Sequence, residues 1–256
     1  MSLRTDARTE RCVIDARITS RLDGHIRTIG IDRPEKRNAL DAAMFAALAD
    51  ALLHGQSDAQ AHCVLLHGTT DSFCSGHDTA AFRTLWPQPA DGVVRRCIQA
   101  FSEQSKPLVA AVNGAAVGFG ATMLLHADWV VAGKSATFRF PFADLGIVPE
   151  AGATALLARR VGDLTARDWL LSGRTMTANE ALRHGFVSRV VSDANVRDAA
   201  NEYAKCLAAK PPGALQVTRR LLLEGASSSA QAAIENEFAH LDTFIPALAS
   251  TSTAHG

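Results

Sequence analysis

The chain has 256 residues, 47% of them hydrophobic and 20% charged, enough for one large domain with a well-developed core. Its 26 Lys+Arg and 26 Asp+Glu cancel to a formal net charge of zero, which excludes the global electrostatic footprint of a nucleic-acid or anionic-membrane binder. No apolar run approaches the roughly 20 residues of a spanning helix, the polar start MSLRTDARTER lacks the apolar region of a secretory signal, and Cys12, Cys63, Cys74, Cys97 and Cys206 form no CxxC pair, so the expectation is a reduced, cytoplasmic protein without membrane or nucleic-acid partners.

In chain order, Val13–Thr19 and His25–Ile31 read as strands around a turn at Asp23-Gly24. Ala42–His54 is Ala/Leu-rich and helical, with Asp41 as its N-cap. Cys63–His67 is a short apolar strand, Val93–Ser102 a helix, Leu108–Val112 a buried strand after Pro107. A helix starts near Gly118 and continues through Ala121–His126, and Trp129–Ala132 is another buried strand. Apolar strands alternating with helices imply an α/β fold with a largely parallel sheet covered on both faces. After Glu150 the pattern becomes helical: Ala153–Arg160, Thr165–Leu171, Ala178–His184, Asp193–Ala209, Ala214–Glu224 and Ala230–Thr243, with only Val187–Val191 still strand-like. Lys210-Pro211-Pro212-Gly213 separates two of these helices, and Ser250–Gly256 is a small, polar tail. The division expected is an α/β core over 1–192 and a helical C-terminal region over 193–256, for oligomerisation and pocket closure.

The stretch Lys106–Glu150 carries most of the chemistry. Glycines at 114, 118 and 120 allow positive φ and close approach of a ligand to the backbone. The helix that follows would leave its first N–H groups free, with the positive end of its dipole toward an oxygen bearing developing negative charge. The same glycines would equally serve tight helix–strand packing. Phe73-Cys74-Ser75-Gly76-His77-Asp78 is a second small-residue turn, able to add another N–H or to act as an ordinary turn capped by Asp78. Glu150, after Pro149 and before Ala151-Gly152-Ala153, either favours a helix N-terminus or is a pocket base. The histidines do not suggest a metal site: His62 and His67, five apart on a strand, face opposite sides, and His126 stands alone on an apolar helix. There is no HExxH, GxSxG or Walker loop, and Gly118-Phe119-Gly120 lacks the third glycine of a dinucleotide fingerprint.

With these residues in view, the chain resembles the crotonase superfamily, the enoyl-CoA hydratase/isomerase family. The resemblance runs through Arg33-Pro34-Glu35-Lys36-Arg37-Asn38-Ala39-Leu40, Phe73–Asp78, Lys106–Gly120, Gly146–Gly152 and the Gly173–Val191 region. It implies a crotonase-like fold of repeated ββα units with a helical C-terminal trimerisation region, as a homotrimer or dimer of trimers. It implies an acyl-CoA thioester substrate, with coenzyme A part of the substrate and no separate cofactor or metal. By motif position the oxyanion hole is the backbone N–H of His77 and Phe119. The CoA side is lined by Lys36, Arg37, Ala39, Ser75, Asp78, Thr79 and Ala80. The two positions where hydratases of the family carry glutamates hold Thr122 and Phe142, which become acyl-pocket candidates. Pro141–Glu150 is similar to the branch that converts 3-enoyl-CoA to 2-enoyl-CoA, where the glutamate after proline is the catalytic base. The expectation is therefore a double-bond isomerase using Glu150 as a single proton shuttle. The alternatives are an enoyl-CoA hydratase in which Glu150 orients water with Thr122 or Asp144, a hydrolase or dehalogenase using a nucleophilic carboxylate, and a non-catalytic CoA- or RNA-binding relative.

Overall fold

The structure is a computed structural model that describes residues 15–82, 85–225, 231–232, 234–241 and 243. It contains two sheets. The larger has six strands in the order β1(Ile18–Asp23), β2(Ile26–Ile31), β3(Cys63–His67), β5(Leu108–Val112), β7(Trp129–Gly133) and β10(Arg189–Val191). The β1–β2 hairpin is antiparallel and every other neighbour is parallel. The smaller sheet orders β4(Ser72–Cys74), β6(Ala115–Val117), β8(Thr137–Arg139) and β9(Thr175–Thr177), parallel except for β8–β9.

The two sheets are filled alternately. β3, β5 and β7 enter the large sheet, and the chain then crosses to add β4, β6 and β8 to the small one. The helical segments that follow these pairs are α2(Thr79–Phe82) and α3(Val93–Ser102), then α4(Phe119–Thr122), then α5(Ala153–Val161) and α6(Asp163–Ser172). This is the repeated ββα architecture. α1(Ala42–Ser57) precedes the first unit, its N-terminus capped by Asp41, whose carboxylate accepts the Met44 N–H at 3.1 Å. α7(Ala178–Arg183), α8(Val196–Ala208) and α9(Pro212–Gly225) follow the last.

The near-continuous apolar strands of the large sheet are explained by burial on both faces. Val64, Leu66, Leu108, Ala110 and Val112 point into the main core with Phe45, Leu48, Phe73, Phe101 and Phe119. Their alternates Cys63, Leu65, Val109 and Ala111 point the other way, against Val196, Ala200 and Ala204 of α8. The helical section after residue 192 is therefore not a uniform appendage. α8 is a covering layer of the α/β core, whereas α9 leaves Leu222 and Leu223 exposed.

Several sequence expectations shift. Of the expected first strand, residues 13 and 14 lie outside the described residues; Asp15 closes a turn by accepting the Ile18 and Arg17 N–H groups, and β1 runs from Ile18 up to the expected Asp23-Gly24 turn. The segment after Gly118 is one α-helical turn followed by a 3-10 turn, Met123–His126, not a sustained helix. The strand expected at Val187–Val191 is confined to Arg189–Val191, and α8 starts after a 3-10 turn at Asp193–Asn195. Cys12, the start of the chain and the 250–256 tail lie outside the described residues; of the expected 230–243 helix, the described residues are helical. No helix among them is long and apolar enough to cross a membrane.

α9 is fastened to the core through Arg219, only 7% exposed. Its guanidinium donates to both Asp128 oxygens at 2.7 and 3.0 Å and to the Gln104 and His126 carbonyls. Arg219→Met is expected to lower stability by about 2 kcal/mol, by removing the donor to two carbonyls and the charged partner of Asp128, whose Oδ2 keeps only the Leu108 N–H. Urea unfolding measures this, and a loss under a few tenths of a kcal/mol would show that α9 docks without the pair.

Candidate active site

Parallel pairing within the small sheet determines where the site lies. β4, β6 and β8 run in the same direction in adjacent positions, with Cys74 beside Ala116 and Val117 beside Arg139. Their carboxyl ends therefore emerge together, and each leads into one of the segments singled out in the sequence: 75–78, 118–120 and 140–150. This matches the general placement of ligand sites outside the carboxyl ends of parallel strands.

The first two segments approach more closely than side chains would allow. A methyl group on Gly76 (φ 90°) would lie 2.7 Å from the Val117 carbonyl oxygen and 3.3 Å from the Phe119 nitrogen. One on Gly120 would lie 2.0 Å from the Cys74 carbonyl oxygen. The glycines thus serve packing and also bring two peptide N–H groups together. Among the described residues neither the His77 nor the Phe119 N–H has an acceptor, although Leu40 brackets His77 by donating to the Gly76 carbonyl and accepting from Asp78. Because α4 lasts one turn, the expected dipole of a long helix is absent, and any oxyanion stabilisation falls to the two N–H groups themselves.

The third segment delivers Glu150. It does not cap α5: the N-cap is Gly152, and the helix has no side-chain cap. The carboxylate instead turns to the loop after β4, where both oxygens lie 3.1–3.2 Å from His77 Nε2. An ionised carboxylate only accepts, so Nε2 carries the proton and donates. Nδ1 is buried and without a partner among the described residues. The pair is largely enclosed, with His77 at 9% and Glu150 at 13% side-chain exposure. Around the imidazole are the rings of Phe45 at 4.7 Å, Phe82 at 5.1 Å and Phe119 at 6.0 Å. Cys74 lies beneath the hole loops, its thiol pushed up to about 12 by burial, so it is a neutral, inert neighbour of the carboxylate.

The remaining candidate positions fall into three groups. Lys36, Arg37 and Ala39 are drawn against Ser75: the Ser75 N–H donates to the Arg37 carbonyl at 3.0 Å and its hydroxyl to the Lys36 carbonyl at 3.2 Å. Lys36, Arg37, Thr79 and Ala80 are exposed, whereas Asp78 is buried, held by Arg33 at 3.0 Å and capping the Ala80 N–H. Thr122 is fully buried, and its hydroxyl donates to the Phe119 carbonyl at 3.3 Å. Phe142 is a core residue at 3% exposure, and Asp144 is half-exposed and paired with Arg139 at 2.8 Å, away from Glu150's partner. Among the described residues no cluster of three or more His, Cys, Asp or Glu could hold a metal.

Three features escaped the sequence reading. The His77 imidazole is a partner of Glu150 as well as a carrier of a backbone N–H. His126 is not an isolated core histidine: its Nε2 donates to the Ala151 carbonyl at 3.0 Å. Asn38, left-handed at φ 59°, donates its side-chain amide to the Ser72 and Phe73 carbonyls, fixing the 33–40 loop onto β4. A signal for Asn38 existed, since asparagine tolerates that conformation better than other non-glycine residues. For the two histidines nothing local distinguished them.

The family model described as enoyl-CoA hydratase/isomerase matches residues 21–251. Among curated proteins, the chain is 33% identical over 212 residues to the 1,2-epoxyphenylacetyl-CoA isomerase of Escherichia coli K12, covering 80% of this chain and 81% of that one. It is 38% identical over 175 residues to a Mycobacterium tuberculosis protein named Probable enoyl-CoA hydratase EchA14, covering 67% and 68%. Among solved structures, an enoyl-CoA hydratase/isomerase from Pseudoalteromonas atlantica T6c superposes with a TM-score of 0.79 at 38% identity, covering 87% of this chain and 89% of that one.

The contact between the two glycine loops is open to a direct test. Gly120→Ala must push the Cys74 carbonyl away, and overpacking of this kind costs about 1–3 kcal/mol. Urea unfolding of the variant is expected to show that loss; wild-type stability would mean that the 74–77 and 118–120 backbones do not touch.

Proposed function

The chain belongs to the enoyl-CoA hydratase/isomerase family, the crotonase superfamily, and from that premise we propose that it is an acyl-CoA double-bond isomerase, converting a 3-enoyl-CoA to the conjugated 2-enoyl-CoA with Glu150 as its only proton shuttle. Activity on an acyl-CoA thioester is the family's common property. The preference for isomerisation rests on one observation: a single carboxylate, Glu150, stands at the end of the small sheet where two free N–H groups converge, and the two other candidate positions hold Thr122 and Phe142.

The chemistry follows from that arrangement. The Glu150 carboxylate takes a proton from the α-carbon of the β,γ-unsaturated thioester. The electron pair of that C–H bond delocalises to the thioester oxygen, giving a dienolate. The N–H groups of His77 and Phe119 stabilise the oxyanion, an interaction in which a single donor is typically worth about 10²–10³ in rate. The carboxyl of Glu150 then returns the proton to the γ-carbon, which leaves the double bond conjugated with the carbonyl. One group suffices, because the proton is removed and replaced without any net addition. A positioned acid/base of this kind contributes about 10²–10⁴.

Hydration would need a second group to hold and activate water. The Thr122 hydroxyl already donates to a backbone carbonyl, and Asp144 is committed to Arg139 at the surface. Both features favour the isomerase. On the CoA side, the exposed Lys36 and Arg37 and the loop Ser75–Ala80 form the strip along which nucleotide and pantetheine would lie, with Ala39 and Asp78 as its buried supports. The exposed apolar side chains Leu222, Leu223, Ile234, Phe238 and Leu241 suit the trimer contacts of the 193–256 region.

Purified protein should raise the enoyl-thioester absorbance when given a 3-enoyl-CoA. Glu150→Gln should reduce this rate by 10²-fold or more while still binding the CoA ester, and Thr122→Ala should change it little. Crotonyl-CoA hydration is measured in parallel: a dominant hydratase activity, or a Glu150→Gln variant with full isomerase rate, defeats the assignment. His77→Ala keeps the backbone N–H but removes the imidazole from the carboxylate. It is expected to lower kcat about 10–100-fold through misplacement of the base, with substrate binding little changed; a wild-type kcat would show that Glu150 is held in place without it.

A further inference from the structure

One backbone irregularity of the site lies directly after the proposed base. Ala151, buried at 6% exposure, has φ 55°, in the left-handed region that costs a non-glycine residue about 1–2 kcal/mol. Gly152 follows at φ 72°. The Glu150–Gly152 turn is closed by the Ala153 N–H, which donates to the Glu150 carbonyl at 3.0 Å, and one side chain holds its middle peptide from outside. His126 Nε2 donates to the Ala151 carbonyl at 3.0 Å. Because the carbonyl can only accept, Nε2 carries the proton whatever the charge on the ring.

His126 is itself held. It ends the 3-10 turn that continues directly from Phe119, so it is tied by a short run of chain to one of the two hole donors. Arg160 of α5, downstream of Glu150, donates to the carbonyls on either side, Leu124 at 2.9 Å and Ala127 at 2.7 Å. Arg219 of α9 donates to the His126 carbonyl at 3.4 Å. The ring packs against Phe101, with centroids 6.3 Å apart. Burial holds its pKa below the ordinary histidine value, and the two arginines add to that effect.

We propose that His126 is a positioning residue for Glu150: its hydrogen bond to Ala151 maintains the left-handed turn and thereby fixes the distance between the base and the oxyanion hole that begins at Phe119. Glu150 is located from two sides, through its carboxylate by His77 and through its following peptide by His126. This proposal rests on the reading of Glu150 as the base. His126 touches no substrate; its effect passes through the backbone.

The test compares two variants. His126→Phe keeps the ring volume and removes the donor, and His126→Gln places an amide N–H near the position of Nε2. With a 3-enoyl-CoA, His126→Phe is expected to lower kcat about 10–100-fold with KM changed less than twofold, and His126→Gln to recover to within about threefold of wild type. Thermal unfolding and active-site titration correct for any loss of folded protein. The proposal is overturned if His126→Phe keeps its kcat, if its loss merely tracks the folded fraction, if KM moves as much as kcat, or if His126→Gln is as impaired as His126→Phe. Glu150→Gln is assayed beside them. If that variant keeps its rate, the base assignment and the positioning role both fall; if it is inactive while His126→Phe has full kcat, only the positioning role falls.

Discussion

The close approach of two backbones, at Cys74–His77 and Val117–Gly120, is the constraint on which the site depends. It follows from parallel pairing of two three-residue strands, β4 and β6, whose ends leave the small sheet side by side. No side chain fits between the loops at Gly76 or Gly120. The result is a pair of peptide N–H groups without acceptors in a mostly buried place, an arrangement folding normally avoids because an unmade buried hydrogen bond costs about 1–3 kcal/mol. On the proposed reading, the oxyanion of the substrate would supply what the N–H groups lack. The hole is built of backbone, so it tolerates histidine and phenylalanine at its two positions, and those side chains are free for other work: Phe119 fills the core against Phe45 and Phe101, and His77 reaches the base.

The electrostatics around Glu150 follow from what surrounds it. Its direct polar partner is the His77 imidazole, with aromatic rings beyond, and two other carboxylates of these loops are engaged elsewhere: Asp78 with Arg33, Asp144 with Arg139. The exposed basic residues Lys36 and Arg37 stand instead on the rim, where a phosphate-bearing portion of the substrate would meet them.

What the sequence made legible follows the physics of each signal. Strands buried on both faces and helices with clear caps were readable from short runs: Leu108–Val112, Cys63–His67 and the Asp41-capped α1 appear where expected. The small sheet was not readable as structure, since strands such as Ser72–Cys74 and Thr175–Thr177 are too short for any periodicity and are defined by pairing across the fold. Only the resemblance implied them, through the repeated ββα order. The same division holds in the site. Glu150 and the glycine turns carry local signatures, whereas the contact between His77 and Glu150 joins residues 73 apart in sequence. His126 looked like a core histidine because the carbonyl it serves lies 25 residues downstream.

The irregular features of the fold gather around one carboxylate. On one side of Glu150 is a buried imidazole whose Nδ1 has no partner among the described residues; on the other is an alanine in a left-handed turn. Each is a loss of order 1–3 kcal/mol taken alone, while the surrounding core of Phe45, Leu48, Phe101 and Leu124 is close-packed and fully buried. Strain of this kind survives only where neighbouring structure over-determines it. Here the contacts are two histidines on neighbouring residues, His77 on the Glu150 carboxylate and His126 on the carbonyl of Ala151 that follows it. On the proposed reading, a carboxylate held in this way would lose little entropy on reaching the α-carbon, and core packing would be converted into placement of a proton.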